Sequence, residues 1–301
     1  MIGYLYLSFA LFAGIAKGFC GKKVSGSMQN FKDCLFINVA RMLFCALIGL
    51  VFVIIEREFL FFQLNAEELG VYLLSAVGMS IFCVCWMYAY KQDAYLFLNI
   101  FTMLGSILTC FLSVLVYRET IQWNEWVGIA ILLFAVICMS KYNEGLKGKL
   151  SWKSWFILVF GCCGCAVADF SQKVYVTSIN GNVATFNFFT YAFGFVLLLV
   201  LYGVVFGLIP QKKSFEITAE VKNKQYVLAY FLMSLFLFLN TTFKTFAARL
   251  LSSAQIYPVL QGANLILSGL MAHLIFKEKL NAKAIVGMAS AFIGLIFMNV
   301  L

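Results

Sequence analysis

Long apolar stretches recur from one end of this chain to the other, and they constrain its fold more than any other feature. A helix of about 20 apolar residues spans the roughly 30 Å hydrocarbon core of a membrane. Backbone groups in lipid must bond within their own segment, so such stretches are predicted to be helical. We place ten membrane-spanning helices near residues 3–21, 35–55, 69–90, 95–116, 124–140, 155–176, 184–208, 226–248, 254–275 and 284–300.

Composition favours a membrane protein over a soluble one. Hydrophobic residues make up 63% of the chain and charged residues 12%, whereas a soluble domain carries about 25% charged residues. The net charge of +9 does not predict nucleic-acid binding, because most basic residues lie between apolar stretches and so flank the membrane. The two longest polar links, at 141–153 and 210–225, are too short to form a soluble domain.

Two segments of the chain repeat one pattern at an offset of 159 residues. In each, an aromatic and a basic residue precede a glutamate, and a glycine follows nine positions later: Glu119 with Gly128, and Glu278 with Gly287. A fixed internal period predicts a duplicated bundle. Because each half has an odd number of spans, the second copy must enter the membrane inverted. We therefore predict an all-α integral membrane protein with two inverted five-helix repeats, 1–145 and 150–301.

This repeated pattern resembles the drug/metabolite transporter superfamily, in particular its EamA-type ten-span transporters. The segment "NVARMLFCALIGL", with Arg41 before a small-residue helix, also resembles that family's second span. The resemblance implies a path lined by spans 1–4 and 6–9, with small metabolites, amino acids or amphipathic drugs as cargo. It makes Glu119, Gly128, Glu278 and Gly287 motif residues with a structural role. Each glutamate is expected to favour the N-terminus of the helix that follows it.

Loop charges predict the orientation of the chain. Loops after odd-numbered spans carry 15 lysines and arginines, and loops after even-numbered spans carry 3. Basic loops stay in the cytoplasm. We therefore expect a multi-pass protein of the plasma membrane with both termini outside the cytoplasm.

The segment "GCCGCAVADFSQK" (161–173) raises two questions. Its cysteines do not share one helix face and the chain has 1 histidine, so close helix packing through small residues is favoured over a metal or redox site. Asp169 lies at mid-membrane depth, where an ionisable group is costly unless it faces a cavity or a partner. It is a candidate for solute binding or proton coupling. The alternative is an ion pair with Lys173 at i+4.

Three further basic residues lie within predicted spans: Lys17, Arg41 and Lys244. Lys17 and Lys173 are near span ends, so each either faces a cavity or extends to the interface. Lys244 shares a helix face with Asn240, which favours a polar stripe over an isolated charge. Arg41 is either a binding residue or a structural clamp on helix-end carbonyl groups.

Polar side chains recur at steps of three or four in spans 4 and 9, which are repeat-equivalent. They predict a shared wet cavity, and the alternative is hydrogen bonding between helices. Aromatic and amide side chains of spans 3 and 7 either line the same cavity or form interfacial belts. The binding candidates from these four spans are Asn99, Thr102, Tyr257, Gln261, Asn264, Trp86, Tyr90, Asn187 and Tyr191.

Function follows from the fold class and the intramembrane charges. Four basic residues against one acid favour a solute that bears a carboxylate or phosphate. We expect a secondary transporter working by alternating access on a small anionic or zwitterionic metabolite, such as an amino acid or organic acid. The alternative is an exporter of cationic or amphipathic drugs centred on Asp169, and a membrane-embedded enzyme or a channel is less favoured.

Partners follow from the same hypothesis. They are the solute, the lipid bilayer and a coupling proton or ion. We expect no catalytic residues, no cofactor, no metal and no nucleic acid. The chain has no G-x-x-x-x-G-K-[ST] motif, so energy would come from a gradient.

Overall fold

A computed structural model describes the backbone of residues 1–57, 65–91, 95–147, 152–208, 224–274 and 282–300. These residues form helices and turns, with no β-strand among them. The helices are α1 (Ile2–Ser25), α2 (Phe31–Ile55), α3 (Ala66–Lys91), α4 (Tyr95–Tyr117), α5 (Trp123–Lys147), α6 (Trp152–Val174), α7 (Val183–Leu208), α8 (Lys224–Ala248), α9 (Ser253–Leu274) and α10 (Ala282–Val300). A π-helical turn, Tyr175–Ile179, continues α6.

The prediction of an all-helical membrane protein is confirmed. Among the described residues, six helices are long and apolar enough to cross a membrane: α1, α2, α3, α6, α7 and α8. Shorter apolar segments lie within α4, α5 and α10, at Thr102–Tyr117, Trp123–Ala135 and Ile285–Met298. The chain is therefore a membrane protein with several spanning helices.

Residues 141–147 and 152–153 of the polar link predicted at 141–153 are helical, so the end predicted for the fifth span was wrong. Helix α5 continues to Lys147 and α6 already begins at Trp152. The segment "KYNEGLK" contains no proline, and its lysine, glutamate and leucine residues favour a helix, although Asn143 and Gly145 do not. Apolar content ends near the membrane boundary, but helical propensity does not end there.

Most helix contacts follow one exchange rule: when both helix numbers of an observed contact are changed by five, the result is another observed contact. Helix α1 packs on α8 as α6 packs on α3, and α3 packs on α7 as α8 packs on α2. The pairs α2–α7, α4–α9 and α5–α10 pack on each other and map onto themselves. This arrangement gathers α1, α3, α4, α6, α8 and α9 around the centre of the bundle, with α5 and α10 beside α4 and α9.

Small residues set the closest helix contacts. A Cβ atom added to Gly164 of α6 would lie 2.8 Å from the amide nitrogen of Phe82 and 2.9 Å from the carbonyl oxygen of Gly78, both in α3. A Cβ atom on Gly105 of α4 would lie 2.7 Å from the carbonyl oxygen of Cys162. The packing role predicted for the cysteine-rich segment of α6 is therefore confirmed.

The motif glycines lie in the α5–α10 pair. A Cβ atom on Gly128 would approach the carbonyl oxygen of Gly294 to 2.8 Å, and Gly287 is buried in α10. Gly128 therefore permits close backbone contact between the two helices, as small residues commonly do in membranes.

Candidate functional site

A cavity of about 50 Å³ lies at the centre of the bundle, between α1, α3, α4, α6, α8 and α9. A cavity of this size holds only a few water molecules. Eight of the residues predicted from sequence line it: Lys17, Trp86, Thr102, Asp169, Asn240, Lys244, Gln261 and Asn264.

Asp169 is paired with Lys244. Carboxylate oxygen Oδ1 accepts a hydrogen bond from the ammonium group of Lys244, and these side chains are 3% and 9% exposed. The other carboxylate oxygen, Oδ2, lies 3.8 Å from the Cys165 thiol. The Tyr257 hydroxyl donates to the backbone carbonyl of Asp169 at 2.8 Å, and the Lys244 ammonium lies 6.0 Å from the centre of the Tyr257 ring. The pair therefore joins α6, α8 and α9 at the cavity wall.

The alternative ion pair between Asp169 and Lys173 was wrong. The Lys173 ammonium lies 2.8 Å from Oε1 of Glu119 and donates to the Leu251 carbonyl at 3.2 Å. Lys173 is one helical turn beyond Asp169, nearer the end of α6, so its long side chain reaches the turns after α4 and α8. It is 6% exposed and lies outside the cavity lining.

Glu119 serves a different helix from the one predicted. Its Oε2 accepts a hydrogen bond at 3.0 Å from the backbone N–H of Ser253, the first residue of α9. The following helix, α5, uses its own Glu125, which accepts from the N–H of Gln122 at 2.9 Å. The structural role of Glu119 thus links the two halves of the chain, while Glu278 lies outside the described residues.

Lys17 presents its ammonium group to the cavity beside two aromatic rings. The nitrogen lies 5.3 Å from the ring centre of Trp86 and 5.7 Å from that of Phe82, which is cation–π range. Across the described chain no carboxylate forms an ion pair with Lys17. Extension to the membrane interface, the alternative for this residue, is not observed.

Arg41 lies beside Trp86, outside the cavity lining. Its guanidinium is 5.3 Å from the Trp86 ring centre and donates from Nη1 to the Asn38 side chain at 3.1 Å. The residue is 1% exposed, and its Nε atom has no hydrogen-bond partner within the described part of the chain. In the described part of the chain its guanidinium contacts two side chains, Asn38 and Trp86, and not the helix-end carbonyl groups of the predicted clamp.

The polar face of α8 is held by its neighbours. Asn240 donates to the Ala10 carbonyl of α1 at 2.6 Å, and the hydroxyl groups of Tyr191 and Thr241 lie 2.6 Å apart. Asn187 donates to the Thr242 hydroxyl at 3.0 Å. Tyr191 and Asn187 of α7 therefore contact α8 and lie outside the cavity lining. Tyr257 also lies outside the lining, beside the Asp169–Lys244 pair.

The polar stripes of α4 and α9 divide between two roles. Thr102, Gln261 and Asn264 line the cavity. The Thr109 hydroxyl instead bonds the carbonyl groups of Gly105 and Ala166, at 3.1 and 3.3 Å. The α4 stripe therefore has one side chain at the cavity and another in a hydrogen bond to α6. The side chains of Tyr90 and Asn99 lie outside the described residues.

Sequence reasoning missed several lining residues, among them Gly14 and Thr241. A Cβ atom on Gly14 would lie 3.1 Å from the Asn240 amide nitrogen and 3.2 Å from an amide oxygen of Asn264. Thr241 follows Asn240 in "NTTFK", a polar run that could have indicated it. Gly14 had no such signal, because only the fold brings the two amides to it.

The first part of the chain matches a known family model. Residues 1–141 match the EamA-like transporter family. The resemblance to the drug/metabolite transporter superfamily is thereby confirmed, and the match indicates a membrane transporter. No curated protein matched the sequence.

Comparison with solved structures supports the fold over the full length. A crystal structure described only as that of a protein superposes with a TM-score of 0.66 at 11% sequence identity. The match covers 99% of this chain and 96% of the other. At that identity the likeness shows a shared fold and nothing about the solute.

Proposed function

We propose, from the match of residues 1–141 to the EamA-like transporter family, that this protein is a secondary transporter of a small anionic or zwitterionic metabolite. The carrying observation is the central cavity, to which α1, α3 and α4 contribute from one half and α6, α8 and α9 from the other. A midplane site between two repeats is the arrangement used for alternating access.

The exchange rule of the helix contacts supports two repeats, 1–145 and 150–301, with ten spans in all. Helices that pack on their own counterparts, such as α2 on α7, are those expected beside a twofold axis. Five spans per repeat reverse the direction of the chain, so the axis would lie in the membrane plane and the repeats would be inverted.

The charges of the cavity support an anionic group on the solute. The charged groups that line the cavity in the described part of the chain are the ammonium groups of Lys17 and Lys244 and the carboxylate of Asp169. Charges at this depth are costly, so a surplus charge favours a solute of opposite sign. An exporter of cations centred on Asp169 is the competing proposal, but that carboxylate already has a cation in Lys244.

Contacts at one end of the bundle support a closed gate there. Lys173 forms an ion pair with Glu119. The Asn182 amide donates to the Glu56 carboxylate at 2.7 Å, and the hydroxyl oxygens of Tyr117 and Ser178 lie 2.9 Å apart. These residues lie in or beside the turns after even-numbered helices, which the loop charges assign to the outside of the cell. Opening the cavity to that side would separate these pairs. A gradient of protons or another ion would supply the energy.

The solute class can be tested by thermal stability of the purified protein with anionic, zwitterionic and cationic metabolites. A ligand that binds only the folded state raises the apparent melting temperature. An anionic or zwitterionic solute should stabilise the wild type and the control Lys23→Gln, which changes an exposed lysine at the end of α1. It should not stabilise Lys17→Gln. Stabilisation by cations alone, lost in Asp169→Asn, would establish the competing proposal.

Orientation can be tested with a C-terminal reporter that is active only in the cytoplasm. The loop charges predict that this reporter gives no signal in cells that express the protein in their plasma membrane. An active reporter would show that the odd-numbered loops lie outside and that the gate described above faces the cytoplasm.

A further inference from the structure

We propose that Asp169 is a built-in counter-ion for Lys244, so that Lys17 receives one negative charge and the cargo is a small monocarboxylate, not a zwitterion or a dianion. This inference rests on the proposed transport function and narrows its solute class. It follows from three observations: how Asp169 is held, what surrounds Lys17, and the charge balance of the cavity lining.

Both carboxylate oxygens and the backbone carbonyl of Asp169 have contacts with other side chains. Lys244 of α8 bonds Oδ1, the Cys165 thiol lies at Oδ2, and Tyr257 of α9 bonds the backbone carbonyl. The ammonium group of a zwitterionic solute would have to displace Lys244, which is attached to the same chain and therefore competes at a high effective concentration. A free amino group on the solute thus gains little from this carboxylate.

Lys17 offers the complementary case. Its ammonium group lies at the cavity beside the rings of Trp86 and Phe82, and no carboxylate in the described part of the chain pairs with it. Cation–π contacts compensate part of the cost of a desolvated charge but leave its hydrogen-bond donors free. A carboxylate in the cavity would accept from those donors, and the amides of Gln261 and Asn264 are available to other oxygens of the solute.

The charge balance selects the valence of the solute. Among the described residues of the lining, two ammonium groups against one carboxylate leave a single positive charge. A monoanion neutralises it, a zwitterion leaves it unchanged and a dianion leaves one negative charge. Arg41 adds to the attraction for anions from outside the lining, where its guanidinium lies 5.3 Å from the centre of the Trp86 ring. A buried charge without a partner is strongly unfavourable, so the monoanion is preferred.

The test uses three solutes with a three-carbon skeleton: lactate (monoanion), alanine (zwitterion) and malonate (dianion). Equilibrium binding to the purified full chain is measured for the wild type and for charge variants. The wild type should prefer lactate, and Lys17→Gln should lose that binding. Asp169→Asn raises the charge of the lining by one. It should shift the preference toward malonate by about tenfold or more, because the interaction free energy of one additional charge pair exceeds the free energy of a tenfold change in Kd. Lys244→Gln makes the lining neutral and should shift preference toward alanine.

The double variant Asp169→Asn/Lys244→Gln is the control for folding and for charge. It removes the pair without leaving either partner alone, restores the single positive charge, and should again prefer lactate. If the wild type binds alanine more tightly than lactate and Asp169→Asn abolishes this binding, Asp169 is a receptor for the solute ammonium and the inference fails. An unchanged order of preference in all variants that fold would also overturn it.

Failure of this inference is distinguishable from failure of the transport function. Saturable uptake of alanine into liposomes would uphold transport and overturn the monocarboxylate assignment. Binding of none of the three solutes would overturn the assignment, while transport itself would be decided by uptake of whichever solute raises the melting temperature.

Discussion

Replacing Asp169 with Asn should destabilise the protein, because the ammonium group of Lys244 then stays buried without its counter-ion. The two side chains are 3% and 9% exposed, so screening by solvent is weak. A contact pair of unit charges is worth about 4 kcal/mol at an effective dielectric constant near 20. Removing one partner of a buried pair typically costs about 3–5 kcal/mol. Because the adjoining cavity admits water, we expect a loss of about 3 kcal/mol, the lower end of that range.

The assay is a double-mutant cycle in mixed micelles, with unfolding by added denaturing detergent followed by circular dichroism. Asp169→Asn, Lys244→Gln and the double variant are compared with the wild type. The double variant should be less destabilised than the sum of the single variants, by about 2 kcal/mol or more. Glu67→Gln, which changes an exposed carboxylate in the first turn of α3, is the control and should have little effect. Single effects that add within about 0.5 kcal/mol would refute the pair.

Three further predictions concern packing and the link between halves. Gly14→Ala should weaken solute binding about tenfold or more with the fold retained, because its methyl group presses on two cavity amides. The control Gly70→Ala, whose methyl group meets nothing within 4 Å, should leave binding unchanged. Equal binding by the two variants would contradict the assigned cavity. Gly164→Ala should cost about 1–3 kcal/mol in unfolding measurements because backbone atoms of α3 block the methyl group, whereas Gly203→Ala, in open space, should be neutral or stabilising. Glu119→Gln should cost about 1–2 kcal/mol through its lost ion pair and weakened cap, and an unchanged melting temperature would argue against both contacts.

The helices were predictable because a membrane imposes one length scale and one bonding rule on the sequence. Each predicted apolar stretch lies in one helix of the structure, apart from differences at the ends such as the extension of α5 to Lys147. Charged residues end a hydropathy signal, but a helix ends only where its backbone or its packing requires. The boundaries of polar helix extensions were therefore not accessible from apolar content.

The cavity was predictable in part, because ionisable groups at mid-membrane depth are costly and few. Lys17, Asp169 and Lys244 were identified for this reason, and they line one cavity. Their pairing was not predictable. The i+4 rule connected Asp169 to Lys173 within α6, whereas the structure connects it to Lys244, 75 residues away in α8. Spacing along one helix cannot reveal which neighbouring helix supplies a closer cation.

The motif glutamate shows the same limit. Its position at a turn predicted a capping role, and Glu119 does cap a helix, but that helix is α9 instead of the adjacent α5. The position of the glutamate at a turn was enough to predict that its carboxylate caps a helix N-terminus. Only the packing of the two halves determines which helix end lies within reach of its carboxylate.

The most direct test of the central claim is the uptake of labelled lactate into liposomes that contain the purified protein. The account predicts uptake that saturates with lactate concentration, is lost in Lys17→Gln and is retained in the exposed-lysine control Lys23→Gln. Uptake that rises linearly with concentration would indicate a channel. Equal saturable uptake by Lys17→Gln and the wild type would contradict the assignment of the central cavity as the transport site.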